Sequence, residues 1–210
     1  MPDEFSLLET MRLEEGQVPR LERHLARMRG SAGRFSFQWR EPAVREAIAS
    51  AQQAHTRGCW RLRLLVDRDG IPRVECTAHT REQKAPWRLA FARDPIDEHD
   101  LFLYNKTTRR DVYERARRAQ PDVDDVILWN TRREVTESTI ANVVVEIDGR
   151  RYTPPIACGL LPGIFRAELL DAGTIAERIL TREDVAAASR VWLINSLREW
   201  IEAKLVQAGS

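Results

Sequence analysis

The sequence predicts an α+β fold in two unequal lobes, and three observations carry that prediction. Segments with the 3.6-residue apolar repeat of a helix interleave with segments that alternate at the two-residue period of a strand. The chain from His79 to Pro86 is polar and unpatterned, which predicts an interdomain connection over residues 81–88 between a small lobe (1–80) and a larger one (89–210). In the larger part, Val143, Val144 and Val145 form an apolar run suited to a strand buried on both faces. A length of 210 residues fits one large domain or two small ones.

Taken in order, Ser6 to Val18 alternates loosely, and Glu15-Gly16 marks a hairpin turn. A helix is expected from Pro19, a favoured first-turn residue, with Leu21, Leu25 and Met28 on one stripe and Gly30 and Gly33 ending or loosening it. A second helix runs from Glu41 to about Thr56. Strands Trp60–Asp67 and Pro72–Ala78 follow, joined across Asp69-Gly70. The larger part opens with a strand, Trp87–Arg93, then an acidic loop and a basic helix, Thr108–Ala119, stopped by Pro121. Strands Asp125–Asn130 and Thr139–Asp148 flank a polar turn at Thr131 to Arg133. Prolines and glycines from Pro154 to Gly163 precede a helix ending at Gly173. A short strand at Ile175–Leu180, a helix opened by Thr181 with Asp184 at capping-box spacing, and the strand RVWLINSL complete the series.

Composition excludes several classes. Charged residues are 31% and hydrophobic ones 43%, which is globular. Lys plus Arg is 33 against 32 acidic residues, so no overall field draws the chain to nucleic acid. No apolar run approaches the ~20 residues that cross a bilayer, and the acidic start MPDEFSLLET is unlike a signal peptide. Cys59, Cys76 and Cys158 are far apart and odd in number, the pattern of reduced thiols in a cytoplasmic protein. His24, His55, His79 and His99 lack metal-ligand spacing, so no metal site is expected.

Lysine occurs only at Lys84, Lys106 and Lys204, so arginine supplies the rest of the 33 cations. Arginine cannot form a Schiff base, which leaves three candidates for amine chemistry. Lys106 sits in LYNKTTRR beside Arg109 and Arg110, whose charge disfavours its protonated form and makes the amine a better nucleophile. The same context also describes an ordinary capping or surface lysine, the commoner case. Lys84 and Lys204 read as solvated, in a linker and a terminal amphipathic segment. Glu137, in REVTESTIAN at the entrance to an apolar strand, could pair with a bound cationic ring or simply face water. Pro162-Gly163 directly before a helix aims the amides of Ile164 and Phe165 at whatever lies in front, a weak anion site by itself. Arg27 borders the Leu21/Leu25/Met28 stripe and could reach a buried anion or snorkel to solvent. The arginines of the basic helix are interrupted by Asp111 and Glu114 and read as a solvated face.

In this order, HLxR…SA, NKTTRR, EVTESTIAN and YTPP…GLLPGIFR resemble the class IV aminotransferase family, the fold-type IV pyridoxal 5′-phosphate enzymes. The resemblance runs from about Ser6 to Trp200. It implies a small N-terminal α/β lobe and a larger lobe with a mixed, barrel-like sheet. By matching position, Lys106 carries the cofactor, receives the substrate and shuttles the proton. Glu137 pairs with the pyridine nitrogen, and Asn142 closes the same motif as a structural residue. Arg27 grips the phosphate, with the amides of Ile164 and Phe165 and the polar pair Asn195-Ser196 completing that site.

The details KTTRR, LWN…EVTEST, CGLLPG and WLINSLR are most similar, within the family, to the 4-amino-4-deoxychorismate lyases. That similarity implies cleavage of aminodeoxychorismate to 4-aminobenzoate and pyruvate in folate biosynthesis. The alternative in the same fold is an aminotransferase for branched-chain or D-amino acids or amines. A non-catalytic remnant is argued against by the intact Lys106, Glu137 and Arg27. The family also implies a homodimer with small-molecule substrates. Many members carry a further segment before the part matching SLLETMR, so the cofactor is better specified than the substrate. Arg81, Arg88 and Arg109 are the candidates for binding substrate carboxylates, unranked.

Overall fold

Leu7, Met11 and Leu13 alternate with more polar neighbours, and this two-residue period makes Leu7–Glu14 the first strand, β1. The computed structural model describes residues 5–80 and 85–206. Glu15 and Gly16, at φ 49° and 74°, turn the chain sharply and end β1. Two compact units result: Met1–Glu82 with Asn105–Arg109, and Gln83–Tyr104 with Arg110–Ser210.

In the first unit, helices α1 (Leu21–Phe35) and α2 (Glu41–Ala54) precede strands β2 (Cys59–Val66) and β3 (Pro72–Ala78). The antiparallel sheet runs β1-β2-β3, with Glu9 opposite Leu64 and Met11 opposite Leu62. Its inner face packs Leu7, Met11, Leu13, Leu62, Leu64 and Val66 against Leu25, Met28 and Ala32 of α1 and Val44, Ile48 and Ala51 of α2. Helix α1 continues through Gly30 and Gly33, which were expected to end or loosen it. Both lie on its exposed face, where each costs about 1 kcal/mol relative to alanine, and the buried Met28, Ser31 and Ala32 hold the helix beyond them.

The second unit contains β4 (Trp87–Phe91), α3 (Asp111–Ala119), β5 (Asp125–Trp129), β6 (Val135–Ser138), β7 (Asn142–Ile147) and β8 (Arg150–Thr153). It continues with α4 (Ile164–Asp171), β9 (Ala176–Glu177), α5 (Arg182–Ala187), β10 (Arg190–Asn195) and β11 (Glu199–Leu205). The strands are ordered β10-β11-β4-β5-β6-β7-β8-β9, and a further β10–β7 pairing closes six of them into a ring. β4 pairs in parallel with both β11 and β5, so the barrel-like sheet is mixed. Leu89, Ile127, Val143, Val145, Leu193 and Ile201 are buried together in one cluster, while α4 lays Phe165 and Leu169 against Val144, Trp192 and Ile194. Thr181 and Asp184 form the expected capping box at α5.

Several expectations change. The basic helix begins at Asp111 rather than Thr108, because the Thr108 amide donates to Ser6 O at 2.9 Å and Thr107 bridges Leu7. These bonds, with Leu8 N–H to Lys106 O at 2.9 Å, place Lys106 with the first unit and not with the larger C-terminal part. Val135–Ser138 is a separate strand, all four residues buried although three are polar. Glu199–Leu205 is a strand and not a terminal appendage. Of the expected connection over 81–88, residues 81–84 lie outside the described residues, and Trp87 and Arg88 belong to β4.

Candidate active site

In the first unit, Glu9 occupies a core-facing position of β1 where the pattern calls for an apolar residue. It is 1% exposed. Arg27, one turn beyond His24 on α1, donates from Nε to Glu9 Oε1 at 2.8 Å and from Nη2 to Glu9 Oε2 at 2.7 Å. His24 Nδ1 lies 2.7 Å from Oε2. Burial alone would raise the Glu9 pKa, but the charges of Arg27 and His24 outweigh it and hold the carboxyl at about 2. A bidentate pair fixes the guanidinium plane, and two of its five N–H donors go to Glu9.

Leu8, the residue before Glu9, donates to the carbonyl of Lys106. Arg27 and Lys106 are thus both anchored to adjacent residues of β1. Asn105 is buried and accepts from Ser31 Oγ of α1 at 2.9 Å, which ties the lysine segment to the helix that carries Arg27. The Lys106 side chain is half-buried.

In the second unit, Glu137 lies within β6 opposite Asn142 of β7, and Asn142 is opposite Ile194 of β10. Glu137 is 4% exposed, so the alternative of a carboxylate facing water does not hold. Its Oε1 accepts from the Tyr113 hydroxyl at 2.7 Å and from the Leu161 amide at 3.2 Å. Burial first, then Glu137, raises the Tyr113 pKa well above its usual value, so the phenol stays a donor. Asn142 Nδ2 donates to Leu161 O at 3.0 Å and lies 3.4 Å from Glu137 Oε2. Gly163 makes this approach possible, since a Cβ there would stand 2.0 Å from Asn142 Oδ1.

Ile164 and Phe165 open α4, so their amides are directed out of its N-terminal end. Asn195 ends β10 and its Oδ1 accepts from the amides of Leu197 and Arg198 at 3.1 and 2.9 Å. It shapes the β10–β11 turn, next to the buried Ser196. Glu137, Asn142, Gly163 and Asn195 are therefore brought to one end of the barrel. Lys106 and Arg27 belong to the first unit.

Lys204 is exposed on β11, Arg88 is exposed on β4, and Arg109 is exposed at the end of the lysine segment. Arg81 and Lys84 lie outside the described residues. Among the described residues no cluster of three metal-ligating side chains exists, and no helix is long and apolar enough to cross a membrane. Burial, followed by the hydrogen bond with Glu134, pushes the Cys158 thiol up to about 12, which makes it a poor nucleophile. Sequence reasoning missed Glu9 and Tyr113. Glu9 left a signal, a carboxylate at a core position of an alternating strand, whereas Tyr113 left only a place on a helix.

The family model for amino-transferase class IV matches residues 6–206. A Schizosaccharomyces pombe protein named "Putative aminodeoxychorismate lyase" is 31% identical over 217 residues, 97% of this chain and 91% of that protein. Among solved structures, a "Putative amino-acid aminotransferase" from Mesorhizobium loti is 38% identical, with a TM-score of 0.90 over 96% of this chain and 100% of that one. A "hypothetical aminotransferase" from Mycobacterium tuberculosis in its PLP-bound form shares the fold at 23% identity and a TM-score of 0.82, over 97% of this chain and 81% of that one. The order of the motifs, the mixed closed sheet and the family match agree: this chain belongs to the class IV aminotransferase family.

Proposed function

We propose that the chain is a pyridoxal-phosphate-dependent lyase converting 4-amino-4-deoxychorismate to 4-aminobenzoate and pyruvate in folate biosynthesis. The observation that carries the cofactor reading is Glu137: a buried carboxylate, fixed in a strand by a hydroxyl and an amide, is what a protonated ring nitrogen pairs with. The donor set fits the rest of the group. Lys106 offers the amine, and Arg27 offers a fixed guanidinium for the phosphate. In the second unit the first-turn amides of α4 and the Ser196 hydroxyl offer neutral donors of the kind a phosphate takes. Asn195 holds the turn that presents Ser196.

When bound, pyridoxal phosphate supplies an electron sink for the substrate carbon bearing nitrogen. Lys106 Nζ removes the proton from that carbon and holds it. The C–O bond to the enolpyruvyl group then breaks with its electron pair on oxygen, and the ring becomes aromatic. The departing enolate takes up a proton and becomes pyruvate. Glu137 would pair with the ring nitrogen, and Arg27 would hold the phosphate end.

The motif details and the fission-yeast relative support the lyase. The name of the Mesorhizobium protein favours a second reading, an amino-acid aminotransferase. Three free cysteines support a reducing, cytoplasmic setting. We also propose a homodimer; a fully active monomer by light scattering overturns that assignment.

The test is the visible spectrum of the protein with and without pyridoxal phosphate, beside Lys106→Ala. A band lost on borohydride treatment and absent from the variant is expected. Pyruvate and 4-aminobenzoate formed in equal amounts from aminodeoxychorismate then support the lyase. Amino transfer to a keto acid without pyruvate release supports the second reading. No band in excess cofactor overturns both.

A further inference from the structure

We propose that Tyr113 is a positioning residue for Glu137, its hydroxyl fixing one carboxylate oxygen so that the other is presented to the cofactor ring. The inference rests on the reading that Glu137 pairs with the ring nitrogen. Tyr113 is 8% exposed on α3 and donates to Glu137 Oε1 at 2.7 Å. The Leu161 amide donates to the same oxygen at 3.2 Å. Two donors converging on Oε1, with Asn142 Nδ2 at 3.4 Å from Oε2, set the rotation of the carboxylate about its last torsion, which is otherwise broad.

Tyr113 is itself held. The Arg110 guanidinium carbon lies 4.7 Å from its ring centroid, and Arg110 Nη2 donates to Thr139 O, two residues beyond Glu137. One arginine thus braces both the ring and the turn that follows the carboxylate. A tyrosine with a purely packing role would need neither the aimed hydroxyl nor the arginine that bridges ring and turn. Its hydroxyl also keeps its proton, because burial and the neighbouring carboxylate both oppose ionisation.

Tyr113→Phe retains the ring and its packing under Arg110 and removes only the donor. The experiment is a double-mutant cycle on pyridoxal phosphate affinity, using wild type, Tyr113→Phe, Glu137→Gln and the double variant, with thermal midpoints and visible spectra recorded for each. We expect Tyr113→Phe to weaken cofactor binding about tenfold in the wild-type background, the scale of one hydrogen bond to a charged group. The band maximum should move while the melting midpoint stays within a few degrees. In the Glu137→Gln background the same change should have no further effect, because the carboxylate that Tyr113 positions is gone. Equal effects in both backgrounds, or none in either, overturn the proposal while leaving the cofactor reading intact. A wild type that forms no Lys106-dependent band overturns that reading and this proposal with it.

Discussion

In the first unit Glu9 is held between two side chains of α1, Arg27 and His24, and its pKa falls to about 2 in spite of complete burial. In the second unit Glu137 is nearly as deep, and the Tyr113 and Leu161 bonds that orient it come from neutral groups. Burying a carboxylate costs several kcal/mol unless its lone pairs are answered. The Arg27 guanidinium answers Glu9 and largely cancels its charge, with His24 hydrogen-bonded beside it, so Glu9 serves as a fastener between β1 and α1. Tyr113 and the Leu161 amide fix the geometry of Glu137 without adding a charge of their own. Equal burial therefore does not mean equal purpose. The two carboxylates differ in the donors that orient them, a guanidinium for Glu9 and a phenol and an amide for Glu137.

The harshest way to break that contrast is Glu9→Ala. It removes the buried carboxylate that the partly buried Arg27 guanidinium and the buried His24 imidazole share, and losing one partner of a buried pair costs about 3–5 kcal/mol. Urea unfolding should show a fall of that size, and a loss under 1 kcal/mol would remove the distinction. The acid limb of stability tests the same residue without mutation. A carboxylate with its folded pKa depressed to about 2 from 4.5 contributes stability above pH 4.5 and loses it as pH falls toward 2. Over that window the wild type should lose on the order of 3 kcal/mol beyond Glu9→Gln, which lacks the titrating group. Parallel pH profiles for the two proteins would count against the ion pair.

The first unit was the more legible in sequence, and the reason is physical. Its strands β2 and β3 alternate cleanly, their turn carries Asp69-Gly70, and α1 and α2 show unbroken apolar stripes. The second unit hides its key strand. β6 reads VTES, whose polar residues signal a loop, and only pairing with β5 and β7 makes room for them in the interior. β11, with Trp200 and Ile201 adjacent, fits neither period well and is fixed as a strand by β4 and β10. The start of α3 depended on Thr107 and Thr108 pairing with β1, a hundred residues away, which no local pattern records. Residue type and motif order single out Lys106, Glu137 and Arg27 as candidates. Glu9 left only its core position in an alternating strand, and Tyr113 only a place on a helix, because what each touches is decided by the fold.

A smaller effect sharpens the second unit's side of the comparison. In Gly163→Ala the new Cβ would stand 2.0 Å from Asn142 Oδ1, so Asn142 must move. Its bond to Leu161 O would loosen, and with it the Leu161 amide on Glu137. Overpacking of this kind costs about 1–3 kcal/mol. The useful readout is the ratio of effects: cofactor affinity should fall in Gly163→Ala even where a calorimetric scan shows most of the stability retained. An affinity unchanged from wild type would mean that the loop around Leu161 does not set the carboxylate.

The smallest expected change in stability is at Glu137 itself. In Glu137→Gln the amide oxygen can still accept from Tyr113 and Leu161, so both neutral bonds survive. The new amide nitrogen would face Asn142 Nδ2 across what is now a 3.4 Å contact, a donor opposed to a donor, and Asn142 can keep its firmer bond to Leu161 O. The net cost should be about 1 kcal/mol, well below that of Glu9→Gln, although the two carboxylates are almost equally buried. Cofactor affinity should rank the other way, with Glu137→Gln losing more than its stability change explains, because the charge removed is the one proposed to answer a ring cation. Measuring both variants by urea unfolding and by cofactor titration gives four numbers. Stability and affinity losses that rise together across the pair would show Glu137 to be a fastener as well, and the contrast between the units would fail.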